Sequence, residues 1–215
     1  SAYFSERQQV KLEKALVDPP ARVVRKEPLP GDALGKLLIP SIGVSEYVIE
    51  GTDADNLRKG PGHYPDTPLP GQRGTVAVAG HRTTYGAPFR ELNNVKRGDR
   101  IVFELPYGTF VYRVDKNQIV DDSALWVTKP VGHPQLVLTA CHPLYSAAQR
   151  IVVFARLAHV EPGDDVHVVC GHTRWTAAAT ELVRQWWARD PGFTLTMLSL
   201  SSLGTMMIPI KLRRL

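Results

Sequence analysis

Hydrophobic residues in this chain come in short runs cut by glycine and proline, the pattern of many brief strands. Gly35 to Val44 (GKLLIPSIGV) and Tyr47 to Glu50 predict an opening strand pair, with Pro40 at an edge or a bulge. Leu57 to Tyr64 predicts a turn or short helix running into GPGHYP, and the alternation from Thr75 predicts a strand that ends at Gly80 and His81. Arg100 to Leu105 and Thr109 to Asp115 alternate around Pro106-Tyr107-Gly108, a hairpin signal, and Ile119 to Asp122 continues into a loop ending at Thr128. Two branched runs follow, Leu136 to Leu138 leading to Cys141 and Ile151 to Phe154 opened by Arg150, with His142 to Gln149 as their connection. Strings such as Pro68-Leu69-Pro70-Gly71 punctuate the series, and the spacing favours an all-β barrel or sandwich.

The two ends read differently. Ser5 to Leu16 places Val10, Leu12, Ala15 and Leu16 among charges behind a Ser5 cap, a short helix, and Arg22 to Asp32 reads as a proline-rich linker. Arg174 to Asp190 carries Trp175, Leu182, Val183, Trp186 and Trp187 at near-helical spacing and stops before Pro191-Gly192, an amphipathic helix. Phe193 to Ile210 is apolar but rich in Ser and Thr; a marginal membrane or interfacial segment competes there with a docked element or an unstructured end. The expected division is residues 1–34 as helix and linker, 35–162 as the main domain and 163–215 as an extension of unknown role.

A chain of 215 residues with 43% apolar content can bury one core plus extensions. The net charge of +5 comes from 26 scattered Lys and Arg, without an RNA or DNA motif, so nucleic acid is not the expected partner. Attraction to an anionic cell envelope suits that charge better. No metal is expected either: Cys170-Gly171-His172 lacks a Cys-x-x-Cys partner, and Asp121 and Asp122 sit in no calcium-loop pattern.

The candidate chemistry lies at the strand ends. A thiol at the end of one buried strand, beside a guanidinium returned by a hairpin-like connection, puts a nucleophile and a charge stabiliser on rigid elements, as acyl transfer requires. A buried, inert Cys141 is the competing reading, as is a disulfide between Cys141 and Cys170. His81 is the candidate acid and base. Its rivals are His63, in a loop of glycines and prolines, His133, and His142 beside the thiol.

The strings AGHRTTYGAPF and LTACHPLYSAAQR resemble the sortase family of cysteine transpeptidases, in wording most like the class E sortases of high-GC Gram-positive bacteria; the match runs from about Lys36 to His159. The resemblance places the family's catalytic histidine on His81, its cysteine on Cys141 in the TxTC-like string Thr139-Ala140-Cys141, and its arginine on Arg150. Alanine stands at 140 where many sortases carry threonine. It implies a closed sortase-type β-barrel with short helices and long loops, no cofactor, and a substrate groove for which Tyr85, Tyr145 and Thr139 are the candidate lining residues. It implies further that a C-terminal LAXTG-like or LPXTG-like sorting signal is cut between Thr and Gly and the threonine joined to an amine of a lipid II-type cell-wall precursor or a pilin lysine. The setting it implies is the extracytoplasmic face of the membrane, with an N-terminal membrane helix upstream of Ser1. A hydrolytic cysteine peptidase and a non-enzymatic β module with a structural Cys141 are the alternatives.

Overall fold

The structure, a computed structural model, describes residues 2–162. The helix expected at 174–190, the apolar segment 193–210, Cys170 and the rest of the expected extension lie outside the described residues. In chain order the elements are α1 (Ala2–Val17), α2 (Ala21–Val24), β1 (Ala33–Ile39), β2 (Val44–Glu50), α3 (Ala54–Leu57), β3 (Gly62–His63), β4 (Gly74–Ala79), β5 (Arg100–Leu105), β6 (Gly108–Asp121), β7 (Pro134–His142) and β8 (Gln149–Pro162). Three 3₁₀ turns, Pro40–Ile42, Leu92–Asn94 and Leu125–Thr128, sit in the connections.

The described strands close into a barrel in the order β1-β2-β3-β4-β7-β8-β6-β5, the closed form expected from the family resemblance. Neighbours run antiparallel except β2 with β3 and β4 with β7, which are parallel. Pro40, expected at an edge or bulge, opens the 3₁₀ turn between β1 and β2, where its missing N–H costs no ladder bond. Strands β6 and β8 are much longer than their apolar runs. Lys116, Asn117 and Gln118 pair with Phe154, Val153 and Val152; Lys116 and Gln118 fall on the outer face, and Asn117 falls on the inner one, where its amide donates to the carbonyls of Leu92, Asn93 and Val95.

Alternation along each strand sorts the side chains into two layers. Leu37, Val76, Val78, Phe103, Tyr112, Leu136, Leu138, Ile151 and Val153 fill the barrel interior. Val137, Val152 and Phe154 point the other way and are covered by Val127 from the turn before β7, with Trp126 stacked on Phe154 at 5.9 Å. Strands β7 and β8 are therefore buried on both faces over their middle, which is why they read as continuous apolar runs.

The N-terminal residues are docked on this barrel. Leu12 packs with Ala33 and Ile49, and Gln9 is bound at both ends of its amide: Nε2 donates to the carbonyls of Tyr47 (3.1 Å) and Lys59 (3.0 Å), and Oε1 accepts from the Tyr47 N–H (2.6 Å). The segment 22–32, expected as a spacer, begins in α2 with Val23 buried, and Arg22 grips the Asp32 carboxylate through Nε and Nη2 at 2.7 and 2.6 Å. That grip holds the Asp32 carboxyl below its usual range. Gln9→Ala leaves three backbone groups without their partner, and a loss of about 1–3 kcal/mol in denaturant unfolding is the expected result.

Candidate active site

Strand β7 lies between β4 and β8, and its end sets the geometry of the site. In the antiparallel register with β8, Cys141 stands directly opposite Arg150. Ala140 and Ile151 face the interior, so by alternation Cys141 and Arg150 share the outer face, where directly opposed side chains have Cβ atoms about 5 Å apart. In the parallel register with β4, Ala79 is level with Thr139, and the Gly80 N–H extends the ladder by donating to the Thr139 carbonyl at 3.0 Å. His81 is the next residue, so it leaves β4 level with the end of β7, one strand spacing of about 4.8 Å away. The structure thus brings His81, Cys141 and Arg150 to the same end of three consecutive strands.

Each of the three has a distinct environment. Cys141 is partly buried and carries a free thiol. Arg150 donates through Nη1 to the carbonyls of Ala147 (2.8 Å) and Gln149 (3.0 Å), which steadies it on its own turn. Its Nε and Nη2 make no hydrogen bond among the described residues. His81 is half-buried, its ring 5.1 Å from that of Tyr85, and desolvation lowers its pKa from 6.5. Gly80 lets the loop turn here: a Cβ would stand 2.5 Å from Cδ2 of the fully buried Phe89, whose N–H closes the loop onto the His81 carbonyl at 3.0 Å.

The three expected groove residues are arranged unequally. Tyr85 covers His81 with a left-handed backbone (φ 51°), and its carbonyl accepts from the Ser5 hydroxyl at 3.0 Å, so the helix α1 reaches this loop. Thr139 is buried, with its hydroxyl 3.3 Å from that of Tyr64. Tyr145 stands out from the β7–β8 connection at 80% exposure.

The rival histidines are accounted for by their partners. His63 is buried on the interior side of β3, with Nδ1 2.9 Å from the Glu50 carboxylate and Nε2 donating to the Pro68 carbonyl at 3.1 Å. His142 uses Nδ1 as acceptor for Arg82 at 3.3 Å. His133 lies just before the start of β7, the opposite end from Cys141. Two features escaped the sequence. One is the Glu50–His63 pair. The other is Arg82, 4% exposed, whose guanidinium bonds the Cys141 carbonyl at 3.2 Å. The signal for Arg82 was alternation: a residue following an outward His81 turns inward, and an inward arginine needs acceptors.

A groove of about 550 Å³ lies further along the same outer face, lined by Trp126, Phe154, Lys116 and Lys129 among others, and excludes the three strand-end residues. Among the described residues there is no metal-binding cluster of His, Cys, Asp and Glu, and no helix long and apolar enough to cross a membrane.

With this geometry in hand, comparison with known proteins is decisive for the family: a sortase domain model matches residues 37–158, more than half of the chain. The chain belongs to the sortase family. It is 37% identical to sortase D of Bacillus subtilis over 134 residues, 60% of this chain and 66% of that protein. It is 30% identical to sortase SrtE1 of Streptomyces coelicolor over 149 residues, 62% of this chain and 42% of that protein. The aligned part of this sortase therefore spans less than two thirds of these relatives. Among solved structures, sortase E of Streptomyces avermitilis superposes with a TM-score of 0.59 at 32% identity, covering 63% of this chain and 93% of that one.

The low proton affinity of His81 arises from burial, and Tyr85 is the ring against it. The His81 resonances in an NMR titration are expected to move at a pH below 6.5, and Tyr85→Ala, which opens the ring to water, to bring the midpoint back up towards 6.5.

Proposed function

We propose that this sortase is a cysteine transpeptidase that cleaves a C-terminal LAXTG-like or LPXTG-like sorting signal between Thr and Gly and joins the threonine to an amine. The observation that carries the reading is the placement of a thiol opposite a guanidinium on adjacent strands, with a half-buried imidazole at the same level on the third. In this reading residues 35–162 hold the machinery, residues 1–34 brace it, and residues 163–215 are an extension. The partners are exported proteins bearing the signal, with the amine coming from a lipid II-type cell-wall precursor or a pilin lysine. The enzyme works at the extracytoplasmic face of the membrane, held there by a membrane helix that precedes α1.

Two half-reactions share one set of groups. The Cys141 thiolate attacks the threonine carbonyl carbon, and the electron pair of the C=O moves onto oxygen, where Arg150 offers the donors that its own turn does not use. The C–N bond then breaks, the leaving glycine nitrogen takes a proton from His81, and a thioester remains. An incoming amine attacks that thioester, gives its proton to the neutral His81, and expels the thiolate. A histidine of lowered proton affinity suits the second half, because the ring is neutral and ready to accept a proton at pH 7. It limits the first half, which needs the imidazolium.

The class E wording around His81 and Cys141 favours alanine at the second signal position, with the LPXTG form as the alternative. Incubation with LAXTG and LPXTG peptides and excess amine, read by mass spectrometry, tests the reading. Peptide joined through its threonine to the amine, absent with Cys141→Ala, is the expected product. Threonine acid alone in the presence of amine points to a peptidase, and an intact peptide contradicts the reading. Arg150→Ala is expected to lower kcat/KM by about 10²–10³ with the thiol still present, the size of effect from removing an oxyanion donor.

A further inference from the structure

Arg82 follows the histidine and turns into the protein, where it is 4% exposed. Its guanidinium has five N–H bonds to give and gives all of them. Nε and Nη2 donate to the Arg90 carbonyl at 3.3 and 3.1 Å, and Nη2 also donates to Asn93 Oδ1 at 2.7 Å. Nη1 donates to the Cys141 carbonyl at 3.2 Å and to His142 Nδ1 at 3.3 Å. One side chain thus ties together its own loop, the turn at Asn93 and the end of β7.

Every one of these acceptors is neutral. A buried cation normally has a carboxylate beside it, because desolvation of an uncompensated charge costs several kcal/mol. Burial lowers its proton affinity, and Glu91, which raises it, acts only through space and forms no bond to it. The one acidic group on a residue that the guanidinium touches is the thiol that must ionise to react.

We propose that Arg82 is a positioning residue of the transfer reaction: it clamps the loop carrying His81 to the strand carrying Cys141 and supplies the buried cation against which the Cys141 thiolate forms. The role rests on the reading of Cys141 as nucleophile. It is separate from that of Arg150, which lies on the opposite side of β7 and faces the outer surface. Arg82 meets the Cys141 backbone carbonyl and is 4% exposed, so its loss falls on the rate of chemistry rather than on binding.

The test uses the full chain and the variants Arg82→Met and Arg82→Lys. Alkylation by iodoacetamide at pH 7 is read at Cys141 by peptide mass spectrometry, so that Cys170 does not contribute, and needs no substrate. In Arg82→Met it is expected to slow roughly tenfold, while the transpeptidation kcat falls at least about 30-fold at a KM within about twofold of wild type. Arg82→Lys keeps a charge but not the fork, so alkylation recovers and kcat does not. Wild-type alkylation in Arg82→Met, equal slowing in both variants, or a loss carried by KM alone overturns the proposal. If Arg82→Met fails to show a cooperative melt, Asn93→Ala loosens the clamp and keeps the cation. A several-fold lower kcat at unchanged alkylation is then expected, and a wild-type kcat overturns the clamp. Should the wild-type chain join no peptide to amine, the functional reading fails while the alkylation contrast still judges Arg82.

Discussion

The register of β7 between a parallel partner on one side and an antiparallel partner on the other is the constraint on which the site depends. A strand has a side-chain period of two, so a slip of one residue would carry Cys141 from the outer face into the barrel and bring Ala140 out in its place. The slip is prevented along the whole strand. Leu136 and Leu138 fit the interior while Val137 meets the cover formed by the turn before β7, so both faces reject the wrong register. Apolar packing on both faces of β7 thus fixes the relative height of His81, Cys141 and Arg150.

Around that register the loops are secured one hydrogen bond at a time. Phe89 closes the loop after β4 onto the His81 carbonyl, Arg82 fastens it to β7, and Ser5 holds the Tyr85 carbonyl from outside. Opposite, Arg150 is bound back onto the β7–β8 connection and Tyr145 projects from it. One wall of the site is thus braced from several sides, and the other is a turn held mainly by its own strand ends. The braced wall carries His81, and the wall opposite carries Arg150 on a connection with fewer restraints.

Much of this was legible in the sequence wherever alternation was clean. The strands at 100–105 and 134–142 and the positions of His81, Cys141 and Arg150 at strand ends follow from the apolar pattern and the two family strings. Strand lengths were less legible, because Lys116 to Gln118 interrupt the apolar pattern of β6, and Arg156 and His159 do the same in β8. The parallel β2–β3 contact was invisible, and with it the Glu50–His63 pair, since nothing local to either residue announces the other. Arg82 was hidden for a similar reason: its meaning lies in carbonyls and an imidazole contributed by distant parts of the chain. The 22–32 segment reads as a spacer from its prolines, yet the Arg22–Asp32 grip and the buried Val23 fold it locally.

The bond from Ser5 to the Tyr85 carbonyl makes the first turn of α1 part of the histidine's surroundings. Gly86, beside it, has no room for a side chain, since a Cβ would stand 2.7 Å from Ser5 Oγ. Loss of the first turn of α1 would leave the barrel whole and yet unroof the loop over the imidazole. The helix α1 and the loop over the imidazole are therefore a single mechanical unit, so a displacement of α1 would be felt at His81.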